Sequence, residues 1–209
     1  MYNYKAITLS VLTCIWLSAN QAYAEDMYGS IKIGGFLPNG SGNSASHSGG
    51  LKDFDTGFNL EASFGTYVAP YAALEASTGF YSSSRKINDA AYQEESKIYG
   101  VPVSLTIKGL ISTEKADFYA GAGAGYYFTL LDKNSHFTNA STSQSVSTHS
   151  NALGYHLVGG TDFKMNDLWS VGAEIKWFST RPKFEDDGGN KVEWEFGGTT
   201  LNLTAKYRF

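Results

Sequence analysis

Beyond its first two dozen residues the chain alternates apolar positions with polar residues or glycine, with a period of two. Successive side chains of a β-strand point to opposite faces, so each alternating run reads as a strand with one apolar face. Eight such runs are present. The first predicted strand covers Tyr28–Leu37, with Ile31, Ile33 and Leu37 opposite Ser30, Lys32 and Gly34. The others cover Thr56–Thr66, Ala72–Tyr81, Ile98–Gly109, Phe118–Phe128, Leu153–Phe163, Trp169–Phe178 and Thr199–Phe209. In the fifth run Ala120, Ala122 and Ala124 alternate with Gly121, Gly123 and Gly125. A helix there would lose ~1 kcal/mol at each glycine, so the strand reading stands. Two irregularities are expected. Pro102 has no N–H to give its ladder and predicts a local bulge. Val192, Trp194 and Phe196 have the opposite parity to Leu201 onward, which predicts a bulge at Gly197–Gly198.

The connections alternate as the strands do. Short links fall near Tyr67–Pro70, Leu110–Ala116 and Lys164–Leu168. Long polar ones fall near Pro38–Asp55, Ser82–Lys97, Thr129–Asn151 and Ser179–Gly198. Short turns at one end and long loops at the other predict an all-β fold, an eight-stranded antiparallel up-and-down transmembrane β-barrel. An even strand number sets both termini on the periplasmic, short-turn side. A soluble barrel would turn the polar set to water, but here that set is mostly Gly, Ser and Thr, thin for a soluble surface. Tyr67, Tyr71, Phe118, Phe163, Trp169, Tyr207 and Phe209 lie at the turn-side ends, where an interfacial aromatic girdle is expected.

Composition agrees with strands in lipid. Charged residues make up 17% and aromatics 15%, and no later window approaches ~18 consecutive apolar residues, so no transmembrane helix is predicted. The first residues read as an export signal: Lys5, the apolar stretch Ala6–Leu17, then Ala22-Tyr23-Ala24. Residues 1–24 are thus expected to be cleaved, leaving a barrel of residues 25–209 in the outer membrane of a Gram-negative bacterium. Cleavage removes Cys14, the one cysteine, so neither a disulfide nor thiolate chemistry is expected. It also removes Lys5, leaving 15 basic residues against 20 acidic, which excludes a nucleic-acid footprint. The expected partners are outer-membrane lipid and lipopolysaccharide, the outer-membrane assembly machinery, and small hydrophobic compounds.

Strand direction gives each inward residue a height. The turn-side half collects Lys32, Glu61, Glu75, Lys108, Asp162, Glu174, Lys176, Lys206 and Arg208, five basic and four acidic. Side chains fill an eight-stranded barrel, and buried charges must pair, so these nine read as a lumen charge network. A structural plug and a gated polar path are both open for it. The loop-side half turns Phe36, Tyr81, Ile98, Tyr127 and Phe178 inward, with Pro102 and several glycines between them. An apolar concavity is the usual form of a small-ligand site, and these five are the candidate ligand-binding residues. Packing of the loop bases is the alternative.

Chemistry beyond binding finds little support. In Thr148-His149-Ser150-Asn151 the His and Ser are adjacent, so a strand would turn them to opposite faces and deny them a dyad. His156 is inward and reads as a structural member of the lumen; His47 and His136 read as loop residues. No metal-ligand spacing is present and no cofactor is implied. Asp186-Asp187-Gly188-Gly189-Asn190 reads as a hairpin tip rather than a calcium loop. The chain is not expected to be an enzyme.

Three stretches carry a resemblance. Tyr119-Ala-Gly-Ala-Gly-Ala-Gly-Tyr-Tyr-Phe128 resembles the glycine-rich fifth strand of the OmpA-like and OmpW-like small barrels. Gly154–Trp169, with Gly160–Phe163 before Met165-Asn166-Asp167, resembles the next hairpin of the OmpW family. Leu201 to Tyr207-Arg208-Phe209 is similar to the terminal strand by which such proteins are recognised for insertion, making Tyr207 and Phe209 the implied insertion signal. The resemblance to the small eight-stranded barrel superfamily spans the chain after the signal, and the OmpW family is the nearest likeness. It implies passage or binding of small hydrophobic molecules. The alternatives are a structural or adhesive surface protein with a closed, plugged barrel and, as a minor one, a lipid A-modifying enzyme.

Overall fold

The computed structural model describes residues 27–41, 54–89, 92–137, 143–181, 183–185, 191–193 and 195–209. The expected signal segment 1–24, His47 and Asp186–Asn190 lie outside them. Eight antiparallel strands close into one barrel: β1 (Met27–Ser41), β2 (Gly57–Ala69), β3 (Ala72–Asp89), β4 (Tyr92–Ser112), β5 (Ala116–Phe137), β6 (Ser143–Lys164), β7 (Trp169–Thr180) and β10 (Glu195–Arg208). The short strands β8 (Lys183–Glu185) and β9 (Lys191–Glu193) pair separately and flank the expected hairpin tip. Neighbours in sequence are neighbours in space, and β1 pairs with β10 to complete the ring. Within the closed ring each strand is paired on both sides, as an apolar surrounding requires.

The alternation decides the two faces. Ile31, Ile33, Leu105, Ile107, Leu153, Leu157, Leu201 and Leu203 are exposed on the outside, while Lys32, Glu61, Glu75, Thr106, Glu174 and Asn202 are buried within. Polar-in and apolar-out is the reverse of a soluble barrel, and it places the polar core inside the lumen.

Four expectations need correction. No bulge forms at Pro102: the β3–β4 register is the same on both sides, and only the pairs of Gly79 and Phe80 with Pro102 and Val101 are lost. Thr78 Oγ1 donates to the Pro102 carbonyl at 3.0 Å, so one missing N–H is absorbed as an interrupted step. No bulge forms at Gly197–Gly198 either, since β10 keeps one register against both β1 and β7. Phe196 simply continues the inward parity. Tyr67 is no girdle residue; it shares the inward parity of Ser63 and Gly65 and packs on Tyr28, with the register shift falling after it, between Tyr67 and Ala69. Finally, much of the expected loops Ser82–Lys97 and Thr129–Asn151 is strand.

Those extensions make the barrel lopsided. β3 pairs with β2 only as far as Ser82 but continues against β4 to Asp89. At ~3.3 Å per residue the sheet β3–β6 stands roughly 20 Å above the shorter wall. Over Ser82–Lys97 and Thr129–Asn151 the sequence carries no sustained apolar alternation, so it looks like loop. On it, a hydrogen bond from Lys97 and the charges of Lys86 and Lys97 hold the Glu95 carboxyl below its ordinary range.

Candidate functional site

The lumen is built in layers. Nearest the turns, Tyr28, Ala73, Leu110 and Tyr119 form a small apolar layer, with Tyr67 packed against it. Lys206 pairs with Asp162 there, and its ammonium lies 4.6 Å from the Tyr28 ring centre. Thr204 donates to the other Asp162 oxygen at 2.9 Å. Arg208 stands outside the central network, at the mouth: it lies 3.7 Å from Asp117 and donates to the Tyr67 hydroxyl at 3.2 Å. Asp117, reached also by Lys164 at 2.9 Å, is a lumen carboxylate that the alternation implied but the candidate set lacks.

Above this lies the ion layer. Lys32 comes from β1, Glu61 from β2, Glu75 from β3, Lys108 from β4, and Glu174 and Lys176 from β7. Lys32 donates to Glu61 at 2.8 Å, to Glu75 at 2.9 Å and to Glu174 at 2.9 Å. An ammonium has three protons, and here each meets a different carboxylate. Lys108 bridges Glu75 and Glu174 at 2.7 and 3.2 Å, and Lys176 pairs with the second oxygen of Glu61. Tyr28 and Tyr119 donate their hydroxyls up to Glu75 and Glu174, at 3.0 and 3.1 Å. Three lysines thus balance three glutamates in a layer with almost no solvent exposure. Burial of charge is tolerable only with such pairing and hydrogen bonding.

Next comes a thin neutral layer. Asn59 donates to Asn202 at 2.8 Å, and Ser77 and Ser104 share a hydrogen bond of 2.8 Å. His156, fully buried, joins Thr106 through Nε2 at 2.9 Å.

The loop-side layer is aromatic. Phe36, Tyr81, Ile98, Tyr127 and Phe178 are brought together in one cluster with Phe196, all at most 3% exposed. Phe178 lies at the centre, its ring 5.1 Å from Tyr127, 5.5 Å from Tyr81, 5.8 Å from Phe36 and 6.1 Å from Phe196. Phe196 escapes sequence reasoning because a bulge at Gly197–Gly198 would have turned it outward. Beside this layer runs the interrupted step at Pro102, whose partner on β5 is Tyr127. The Phe80 and Tyr99 rings stack over the outside of the same region, centres 6.1 Å apart.

Elsewhere, His149 is exposed on β6 and Ser150 half-buried, on opposite faces of the strand. At the chain end, the Phe209 N–H donates to the Met27 carbonyl at 3.0 Å, and its ring approaches Phe64 and Tyr207 on the outer face. Among the described residues no group of three His, Cys, Asp or Glu side chains is arranged to hold a metal.

Comparison with solved structures places this architecture. OprG, an outer membrane protein from Pseudomonas aeruginosa, superposes with a TM-score of 0.56 at 15% identity, covering 89% of this chain and 97% of OprG. A major outer membrane protein from Thermus thermophilus gives 0.53 at 14% identity, covering 90% of this chain and 100% of its own. Neisserial surface protein A gives 0.51 at 12% identity, covering 88% and 97%. At such identities the likeness is one of fold. No curated protein matches the chain. The model of the outer membrane protein beta-barrel domain family matches residues 7–209, nearly the whole sequence, and the chain belongs to that family.

Proposed function

We propose that this outer-membrane barrel takes small apolar molecules into the aromatic layer of its loop-side half and releases them sideways into the bilayer. The observation that carries the reading is the interrupted step between β3 and β4 at Pro102. It is the one place in that seam where backbone pairs are missing between paired stretches, and Tyr81 and Tyr127 adjoin it from the lumen. Straight passage is disfavoured by the layer below, where an apolar molecule would have to part Lys32 from three carboxylates and offer no charge in return. A sideways route avoids that cost. The rings of Phe80 and Tyr99 cover its outer face. In this arrangement the loops face outward, the turns and both ends of the mature chain face the periplasm, and residues 1–24 serve export.

The test uses refolded protein in planar bilayers and in vesicles. The reading predicts ion conductance at background together with accelerated uptake of an apolar fluorophore, lost in Tyr127→Trp or Phe178→Trp. Sustained conductance without uptake overturns it.

A second reading is favoured by the β3–β6 projection, which offers a tall sheet for surface contacts in the manner of an adhesive protein. Replacing residues 85–94 by a short turn separates the two. Loss of cell-surface binding with unchanged uptake assigns the projection its own role.

A further inference from the structure

The aromatic layer has one polar group at its floor whose hydrogen bonding is incomplete. His156 sits on β6 directly across from Phe178, the central ring of the cluster. On its other side the cross-strand partner is Gly123, followed by Thr106 on β4. A Cβ at position 123 would stand 2.5 Å from His156 Nε2 and 2.6 Å from Cε1, so the glycine is what lets the imidazole lean across β5. That lean delivers Nε2 to the Thr106 hydroxyl at 2.9 Å. One nitrogen is therefore fixed, and with it the ring plane.

The other nitrogen is not used. Nδ1 is buried and makes no hydrogen bond to any protein atom among the described residues. A buried polar atom left unpaired loses its hydration without return, at about 1–3 kcal/mol. Most buried side-chain polar atoms have a partner. Here the unused nitrogen belongs to a ring anchored to Thr106, on the residue paired across the β6–β7 ladder with Phe178.

We propose that His156 Nδ1 is the polar recognition point of the chamber, and that the ligands it favours are small amphipathic molecules with one hydroxyl or carbonyl group. The polar end meets Nδ1, while the apolar body lies among Phe178, Tyr127 and Tyr81. The inference rests on reading the aromatic layer as a ligand chamber. Neutral imidazole donates from one nitrogen and accepts at the other. Because a threonine hydroxyl plays either part with Nε2, Nδ1 is free to accept from an alcohol or donate to a carbonyl. Selection then comes from the single buried contact, since the rings accept any apolar body of suitable size.

The experiment uses the folded barrel in lipid nanodiscs with isotope-labelled histidine, and the probes are 1-octanol and n-octane. Octanol is expected to move the Nδ1 resonance of His156 while octane leaves it in place. The octanol-to-octane affinity ratio should fall about fivefold in His156→Gln, the effect of one neutral hydrogen bond. Gln keeps a polar atom where Nε2 stood and loses the one at Nδ1. His156→Asn does the opposite and should keep the ratio. If both probes bind while the resonance stays fixed and Gln leaves the ratio unchanged, the inference fails and the chamber survives. If neither probe binds, the chamber reading fails and takes the inference with it. Should either variant not fold, the resonance comparison in the unmutated protein decides alone.

Discussion

The ring of Tyr81 fills the space that a side chain at Gly100 would need: the two are cross-strand partners on β3 and β4, and a Cβ at Gly100 would collide with the ring and its hydroxyl. Tyr28 over Gly65 and Tyr119 over Gly160 repeat the arrangement. These three rings pack into the narrow lumen because the neighbouring strand carries no side chain beside each of them. The glycines opposite these rings are thus part of the packing and not empty positions.

Gly100→Ala should therefore destabilise the barrel by about 1–3 kcal/mol, because Tyr81 is hemmed in by Phe36, Phe178 and Phe196 and cannot swing away freely. Gly159→Ala is the matched control. Its nearest neighbour would be the Tyr119 carbonyl oxygen at 3.9 Å, and the change should fall within about 0.5 kcal/mol. Urea unfolding in lipid vesicles measures both; equal effects would show that the ring does not depend on the glycine.

Lys32→Met should cost about 3–5 kcal/mol, since it strands three buried carboxylates with two lysines. Adding Glu174→Gln removes one of the stranded charges and should recover part of that loss. The same unfolding assay reads it. A double variant whose loss is the plain sum of the two single losses would mean that the layer is not a coupled network.

Deleting Phe209 should lower the amount of barrel assembled in the membrane while leaving export intact. It removes the N–H bond to Met27 and the outer-face contact with Phe64, both at the seam where β10 closes on β1. Fractionation of cells expressing the truncation provides the check, and normal membrane yield would contradict the expectation.

Alternation alone carries the strand count, the inward faces and the charged layer, because Lys32, Glu61, Glu75 and Glu174 interrupt apolar runs at regular intervals. It serves less well where an inward residue is itself apolar. Tyr28, Tyr119 and Phe196 hold lumen positions by parity, yet each looks like a lapse in a polar-in pattern unless parity is followed to the strand end. Tyr67 shows the reverse error: nearness to a turn suggests a girdle while its parity points inward. The heights of β3–β6 are illegible for another reason, since the sequence there is largely polar and leaves no apolar period to read. The Lys32 geometry, with one ammonium shared among three strands, depends on barrel shear and leaves no trace in local sequence.

The sideways route at Pro102 is tested most directly by closing the step. Pro102→Val supplies an N–H on a β-branched residue and should restore the missing pairing with Gly79, adding about 1 kcal/mol of stability. The decisive quantity is the rate at which vesicles carrying this variant take up an apolar fluorophore, set beside vesicles carrying the unmutated protein. The uptake rate of the variant should fall to the protein-free rate with conductance still at background; undiminished uptake in a barrel with the step closed would rule out the sideways route.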